Sequence, residues 1–265
     1  MLWHDPAIQR LRLRRRVSLA VMSVDDFTGR PITGADLIVT AAELSQKPVR
    51  KQDGYFLFLD CPLPALTVTA AAWAYHPQSV RVELGSLSPL RPVVKLRLTP
   101  NRNYRLPPQT TCLEGTARSH AKLQVFCEND PRPLRLLYDY TRAGDGRCIQ
   151  LYDPACGDLD GRQFALLRRN ETQPDFFTVQ ESLGQDGLFQ MDAPLSKDCK
   201  KAGATIVPVS LAQADEAGSF FLPLHAESIP EYRCCIFWED GGKSFQRRLT
   251  LETNRVTRLN LLENN

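Results

Sequence analysis

Two stretches of the chain have the carboxylates and glycines of a cation loop. "DDFTGRPITGAD", Asp25 to Asp36, sets three aspartates and two glycines between two apolar runs. Carboxylates brought together in this way hold calcium or magnesium through oxygen. "CGDLDGRQFALL" places Asp158, Asp160 and Gly161 at positions three, five and six of a twelve-residue calcium loop. Position one is Cys156, and position twelve, where a bidentate carboxylate is needed, is Leu167. Both major ligands are therefore missing, and the stretch reads as a Gly-Asp turn with Asp153 nearby as a spare oxygen donor. In the first stretch the aspartates have no ligand spacing. Gly29 and Pro31 instead mark a tight turn, glycine supplying positive φ and proline fixing its own.

Other chemistries find less support. The four histidines, His4, His76, His120 and His225, lie far apart, and none stands beside a cysteine at zinc spacing. No G-x-S-x-G elbow, P-loop or dinucleotide fingerprint occurs. Acid pairs such as Asp25 with Asp26, or Asp139 near Asp145, have the residue types of a glycosidase but no fixed separation. Turn carboxylates explain them. The expected catalytic, cofactor and metal residues are therefore none. An enzymatic alternative would draw on Asp145, Asp153, Asp158 and Asp160.

The strongest bias is basic. "RLRLRRR" places Arg10, Arg12, Arg14, Arg15 and Arg16 within seven residues, preceded by Trp3. These six residues are the candidate partner contacts. The arm reads either as a docking element for an acidic protein surface or as an edge strand that turns Leu11, Leu13 and Val17 inward. Net charge is only +3, and the rest of the chain adds no basic stripe, so nucleic acid is not the expected partner.

Several kinds of element must position these groups. The chain has 265 residues, 43% hydrophobic and 24% charged, the composition of a globular protein with room for one large or two ordinary cores. No apolar run has the length of a bilayer span, and "MLWHDPAIQRLRLRRR" has no apolar segment after its charges. The expected location is the cytoplasm, with release as part of a particle. Eight cysteines, none in C-x-x-C, are then expected as reduced and mostly buried thiols. Trp73, Tyr75 and Trp238 stand at strand ends, as core plugs or as the aromatics of a glycan platform.

Runs of four to eight residues rich in Val, Leu, Thr, Phe and Tyr recur between Gly, Pro, Asp and Asn. That alternation predicts an all-β protein. Only "SLAQADEAG" (Ser210 to Gly218) would serve as a short helix, and it reads equally as a loop. "TPNRNYRLPPQTT" holds three prolines and divides the chain into an arm (1–15), a first domain (16–98), a Pro-rich linker (99–111) and a second domain (112–265). A repeat spans the cut. Gly54 aligns with Gly218 and Leu96 with Leu259, 42 and 41 residues apart. The second domain then carries an insertion at about 129–204.

"VSLAVMSVDDFTGRPITGADLIV" followed by "KQDGYFLFLDCPLPALTVTA" and "YHPQSVRVEL" resembles the carboxypeptidase regulatory-like, or transthyretin-like, β-sandwich. Asp26, Thr28, Gly29, Pro31, Ile32, Gly34 and Ala35 match its turn, and Asp53, Gly54 and Tyr55 its next signature. The resemblance covers about Arg16 to Leu98. It implies a non-catalytic scaffold, and with the repeat the expectation is two antiparallel transthyretin-like or Ig-like sandwiches, the second enlarged. The combination of such a domain with "RPVVKLRLTPNRNYRLPPQTTCLEGTA" is similar to accessory proteins of phage-tail-like contractile particles. It implies a structural or adaptor protein that binds other protein subunits, without nucleic acid or membrane. The alternative is a glycan- or protein-binding surface module.

Overall fold

The computed structural model describes residues 15–143, 146–153, 158–169, 171–184, 187–224, 229–240 and 242–262. The described chain is all-β, with a single 3-10 turn at Leu84–Ser86. Its first seven strands are β1 (Val17–Asp25), β2 (Ile38–Ala41), β3 (Val49–Arg50), β4 (Tyr55–Leu59), β5 (Ala65–Ala71), β6 (Gln78–Glu83) and β7 (Val93–Leu98). They form one sheet of order β3-β4-β1-β7 and another of order β2-β5-β6. Alternation along each strand sends one face inward. Leu19, Val21, Phe56, Phe58, Leu96 and Leu98 of the first sheet meet Val39, Leu66, Val68, Ala70 and Val82 of the second across one core. The two sheets are thus packed face to face.

Twelve strands follow: β8 (Thr111–Thr116), β9 (Lys122–Cys127), β10 (Arg135–Leu136), β11 (Cys148–Tyr152), β12 (Gln163–Arg168), β13 (Asp175–Ser182), β14 (Leu188–Met191), β15 (Ala204–Gln213), β16 (Ser219–Leu224), β17 (Glu231–Asp240), β18 (Lys243–Glu252) and β19 (Val256–Asn260). A three-stranded sheet, β16-β8-β19, faces the β9-β17-β18 end of a nine-stranded sheet. These pairings repeat those of the first seven strands. β8 is antiparallel to β16 and parallel to β19, as β1 is antiparallel to β4 and parallel to β7. Likewise β9-β17-β18 is joined in the manner of β2-β5-β6. The parallel pair in each half departs from the purely antiparallel sheets expected from the strand pattern. It arises because the last strand of each set returns to the first, a pairing that no local turn dictates.

Strands β10 to β15 lie between β9 and β16 in the chain. They extend the sheet in the order β10-β11-β14-β13-β12-β15-β9, and Phe164, Phe177, Leu166, Ile149 and Leu151 fill a core of their own. The stretch considered for a helix completes β15 through Gln213 and then turns: Ala214 N–H bonds Ala121 O, and Gly218 N–H bonds Asp215 O. Alternation in "ATIVPVSLAQ" carries the strand past the point where its polar residues begin.

Candidate functional site

The nine-stranded sheet is curled, and its curl makes a trough. In a flat sheet β13 and β17, four strand spacings apart, would be about 19 Å from each other. Yet the Phe176 and Phe237 rings lie 5.3 Å apart between centroids, and both contact Phe126 of β9. The inner surface is lined by Ala165, Val207, Val209, Cys235 and Phe237. Register explains why. Phe126 stands opposite Val209 and Cys235, while Gln124 stands opposite Leu211 and Phe237, so all these side chains share one face.

The trough opens at one end into a cleft of about 750 Å³. Its rim carries Lys122, Gln124, Gln163, Glu239 and Ser244 above the Phe176 and Phe237 rings. The Gln124 amide donates to the Gln163 carbonyl oxygen at 2.9 Å, which orients both amides across the β9–β15–β12 surface. An apolar floor with a few oriented polar groups at a barrel-like mouth is the usual composition of a binding cleft. No sequence motif marks it, because its residues come from six strands. Trp238 turns the other way, 9% exposed in the core and stacked on Phe245 at 5.6 Å. Trp73 is 65% exposed.

The acidic candidates serve other purposes. Asp25, 4% exposed, organises the opening turn. Its carboxylate accepts the Phe27 N–H at 2.9 Å, the Thr28 hydroxyl at 2.7 Å and the Tyr104 hydroxyl at 2.6 Å. Gly29 adopts φ +70° there. Tyr104 and Asn101 tie the start of the Pro-rich segment to the first sheets, since the Asn101 amide donates to Trp73 O and Tyr75 O. Burial and the neighbouring Asp25 carboxylate push the Tyr104 phenol well up.

Asp158 and Asp160 face β7. The Lys95 ammonium lies 2.6 Å from Asp158 and 3.1 Å from Asp160. Arg97 donates to Asp160 O at 3.0 Å and to Asp158 O at 3.3 Å, with Asp26 3.9 Å away. The remaining Asp160 oxygen accepts the Ser182 N–H. Burial raises Asp158, but the hydrogen bond and charge of Lys95 more than reverse it, and its carboxyl lies below the usual range. Burial raises Asp26, against the pull of Arg97 and Arg162. The aspartates at calcium-loop positions therefore join the inserted strands to the first sheets, and among the described residues no cluster of metal-ligating side chains occurs.

Of the six candidate partner contacts, Trp3, Arg10, Arg12 and Arg14 lie outside the described residues, as do Asp145, Cys156 and His225. Arg15 and Arg16 are exposed, and the Arg16 N–H bonds the Asp60 carboxylate at 2.8 Å. The seven described cysteines are free thiols, four of them buried. No described helix is long and apolar enough to cross a membrane.

No family model matches the chain, and no curated protein matches it. One solved structure, the Bacillus anthracis TIE protein, aligns with 91% of this chain and 49% of its own at 12% identity and a TM-score of 0.23. The chain thus spans about half of that structure, and at this score the likeness bears on neither fold nor function.

Proposed function

We propose that the chain is a non-enzymatic structural or adaptor protein acting in the cytoplasm on other protein subunits, in an assembly of the phage-tail-like contractile kind. The observation that supports this reading most is the role of its acidic side chains. Those with the best spacing for chemistry, Asp25, Asp158 and Asp160, hold a turn and bind the inserted strands to β7. Rigid joining of two sheet systems suits a protein that presents surfaces at fixed separation. One such surface is the trough mouth; in this reading the basic arm, Trp3, Arg10, Arg12, Arg14, Arg15 and Arg16, separately meets an acidic partner.

The test is affinity purification of the full chain from its native host after cross-linking, followed by mass spectrometry. A chain lacking residues before Arg16 and a Lys122→Glu chain run beside it. The reading expects a fixed set of assembly subunits, diminished by either change. Equal recovery with both, or a turnover activity lost in Asp158→Ala, would overturn it.

A second reading, glycan binding, is favoured by the Gln124–Gln163 amide pair over the Phe176 and Phe237 rings. Oriented amides pair with sugar hydroxyls while aromatic faces take their C–H surfaces. Glycan-array binding lost on Gln124→Ala would favour it over the adaptor reading.

A further inference from the structure

Cys127 ends β9, and Cys234 lies directly across from it on antiparallel β17. The next pair along, Glu128 and Arg233, is joined by the Glu128 N–H to Arg233 O bond. Because hydrogen-bonded and non-hydrogen-bonded pairs alternate in an antiparallel ladder, Cys127 and Cys234 form a non-hydrogen-bonded pair, the kind with the closer side chains. Such a pair has Cα atoms about 4.5 Å apart, inside the range a disulfide spans. Both thiols point to the same side of the sheet, toward the core shared with β8 and β16, and their sulfurs lie 3.1 Å apart. Cys235, next in the chain, points to the opposite face, into the trough.

Access is unequal. Cys234 is 1% exposed, whereas Cys127 is half-buried and lines a crevice of about 280 Å³ together with Asp130, Arg132 and Tyr232. A soluble reagent entering the crevice therefore meets Cys127 first, and Cys234 stands behind it.

We propose that Cys127 and Cys234 are a thiol pair that a small-molecule disulfide of the glutathione type converts to an intramolecular disulfide. The Cys127 thiolate attacks one sulfur of the small disulfide; a mixed disulfide forms and one thiolate departs. The Cys234 sulfur then attacks Cys127 Sγ, displacing the second thiolate. Two S–H bonds become one S–S bond, the two electrons reduce the small disulfide, and the two protons end on the two released thiols. The product ties residues 107 positions apart. It closes a ring around strands β10 to β16, so the inserted strands are held at their base by a covalent bond as well as by the sheet. The hydrogen bond with Cys127, and then burial, raise the Cys234 thiol, consistent with attack by Cys127 first.

The test uses the folded full chain, reduced and then equilibrated with glutathione disulfide and glutathione at set ratios. The pair predicts a mass lower by two hydrogens and a peptide linking Cys127 to Cys234 in a non-reducing digest. Thiol mapping by peptide should show Cys127 and Cys234 lost together, with no lasting glutathione adduct on Cys127, whatever the exposed Cys148 takes up. Tandem fragmentation between residues 234 and 235 of the wild-type linked peptide separates Cys234 from Cys235, so no variant is required to fold. Cys235→Ser should keep the bond and Cys234→Ser should stop at the mixed disulfide. A stable glutathione adduct on wild-type Cys127, a bond to Cys235, or no linked peptide at any ratio would overturn the proposal.

Discussion

Replacing Lys95 by Met isolates the clamp between β7 and the inserted strands, because Met keeps most of the side-chain stem and removes the charge. Lys95 is 17% exposed, Asp158 50% and Asp160 29%. The Asp158 bond is open to water, so its share is discounted to about 0.5 kcal/mol, as for surface ion pairs. The Asp160 bond is better shielded; the roughly 1.5–3 kcal/mol of a hydrogen bond to a charged group, discounted for its partial exposure, leaves about 1–1.5 kcal/mol. The variant should therefore lose about 1.5–2 kcal/mol, or roughly 4–6 °C in melting temperature for a chain of this size. Urea unfolding followed by two independent probes reads the loss and shows whether both sheet systems unfold together.

Acid provides the stricter check. Asp158 has its folded pKa below the ordinary 3.8, so its contribution is fully present above that value and lost as pH falls through the lower one. Wild type should lose this stability below about pH 4, and Lys95→Met should show a flatter acid limb. Combining Lys95→Met with Asp158→Asn should cost less than the sum of the two single changes. A loss under about 0.3 kcal/mol, with an unchanged acid limb and full additivity, would refute the clamp.

Asp26 has the opposite sign. Its raised folded pKa means its contribution is present below the ordinary 3.8 and lost as pH rises through the raised value. Asp26→Asn should therefore lose less stability between pH 4 and pH 8 than wild type, measured by urea unfolding across that range. Tyr104→Phe removes the hydroxyl bond to Asp25 and should cost about 1–2 kcal/mol, seen as a lower urea midpoint with an unchanged slope. Gly115 and Gly29 should respond differently to alanine, as read by thermal melts. A Cβ at Gly115 would lie 1.9 Å from Leu259 O and force β8 and β19 apart, a loss above about 3 kcal/mol. A Cβ at Gly29 meets nothing within 4 Å, so only its φ of +70° counts, about 1–2 kcal/mol.

Much of the fold was legible because β periodicity is local. "GYFLFLD" alternates in burial at period two, while "YRCCIFW" ends in a short unbroken apolar run buried on both faces, and each forms a strand. Two strands are faint in the sequence. β3 has only two residues, and β8 contains Glu114 and Gly115, which interrupt an apolar pattern. Gly115 is there because β19 passes too close for a side chain, a constraint invisible without its partner. The opening turn is legible in Gly29 and Pro31. The part of Asp25 in it is not, because Tyr104, which completes the site, is 79 residues away.

The sequence by itself determined the β class, the turns and the recurrence of Gly54 to Leu96 in Gly218 to Leu259, because each depends on residues close along the chain. Tertiary structure alone decided the rest. Lys95 meets Asp158 across 63 positions, so carboxylates with calcium-loop spacing became a joint between sheets. Phe126, Phe176 and Phe237 meet only because the nine-stranded sheet curls, and with that curl the trough mouth exists. Strand order and curvature depend on which distant strands pair and how their twist accumulates, and neither is written in the period of any one strand.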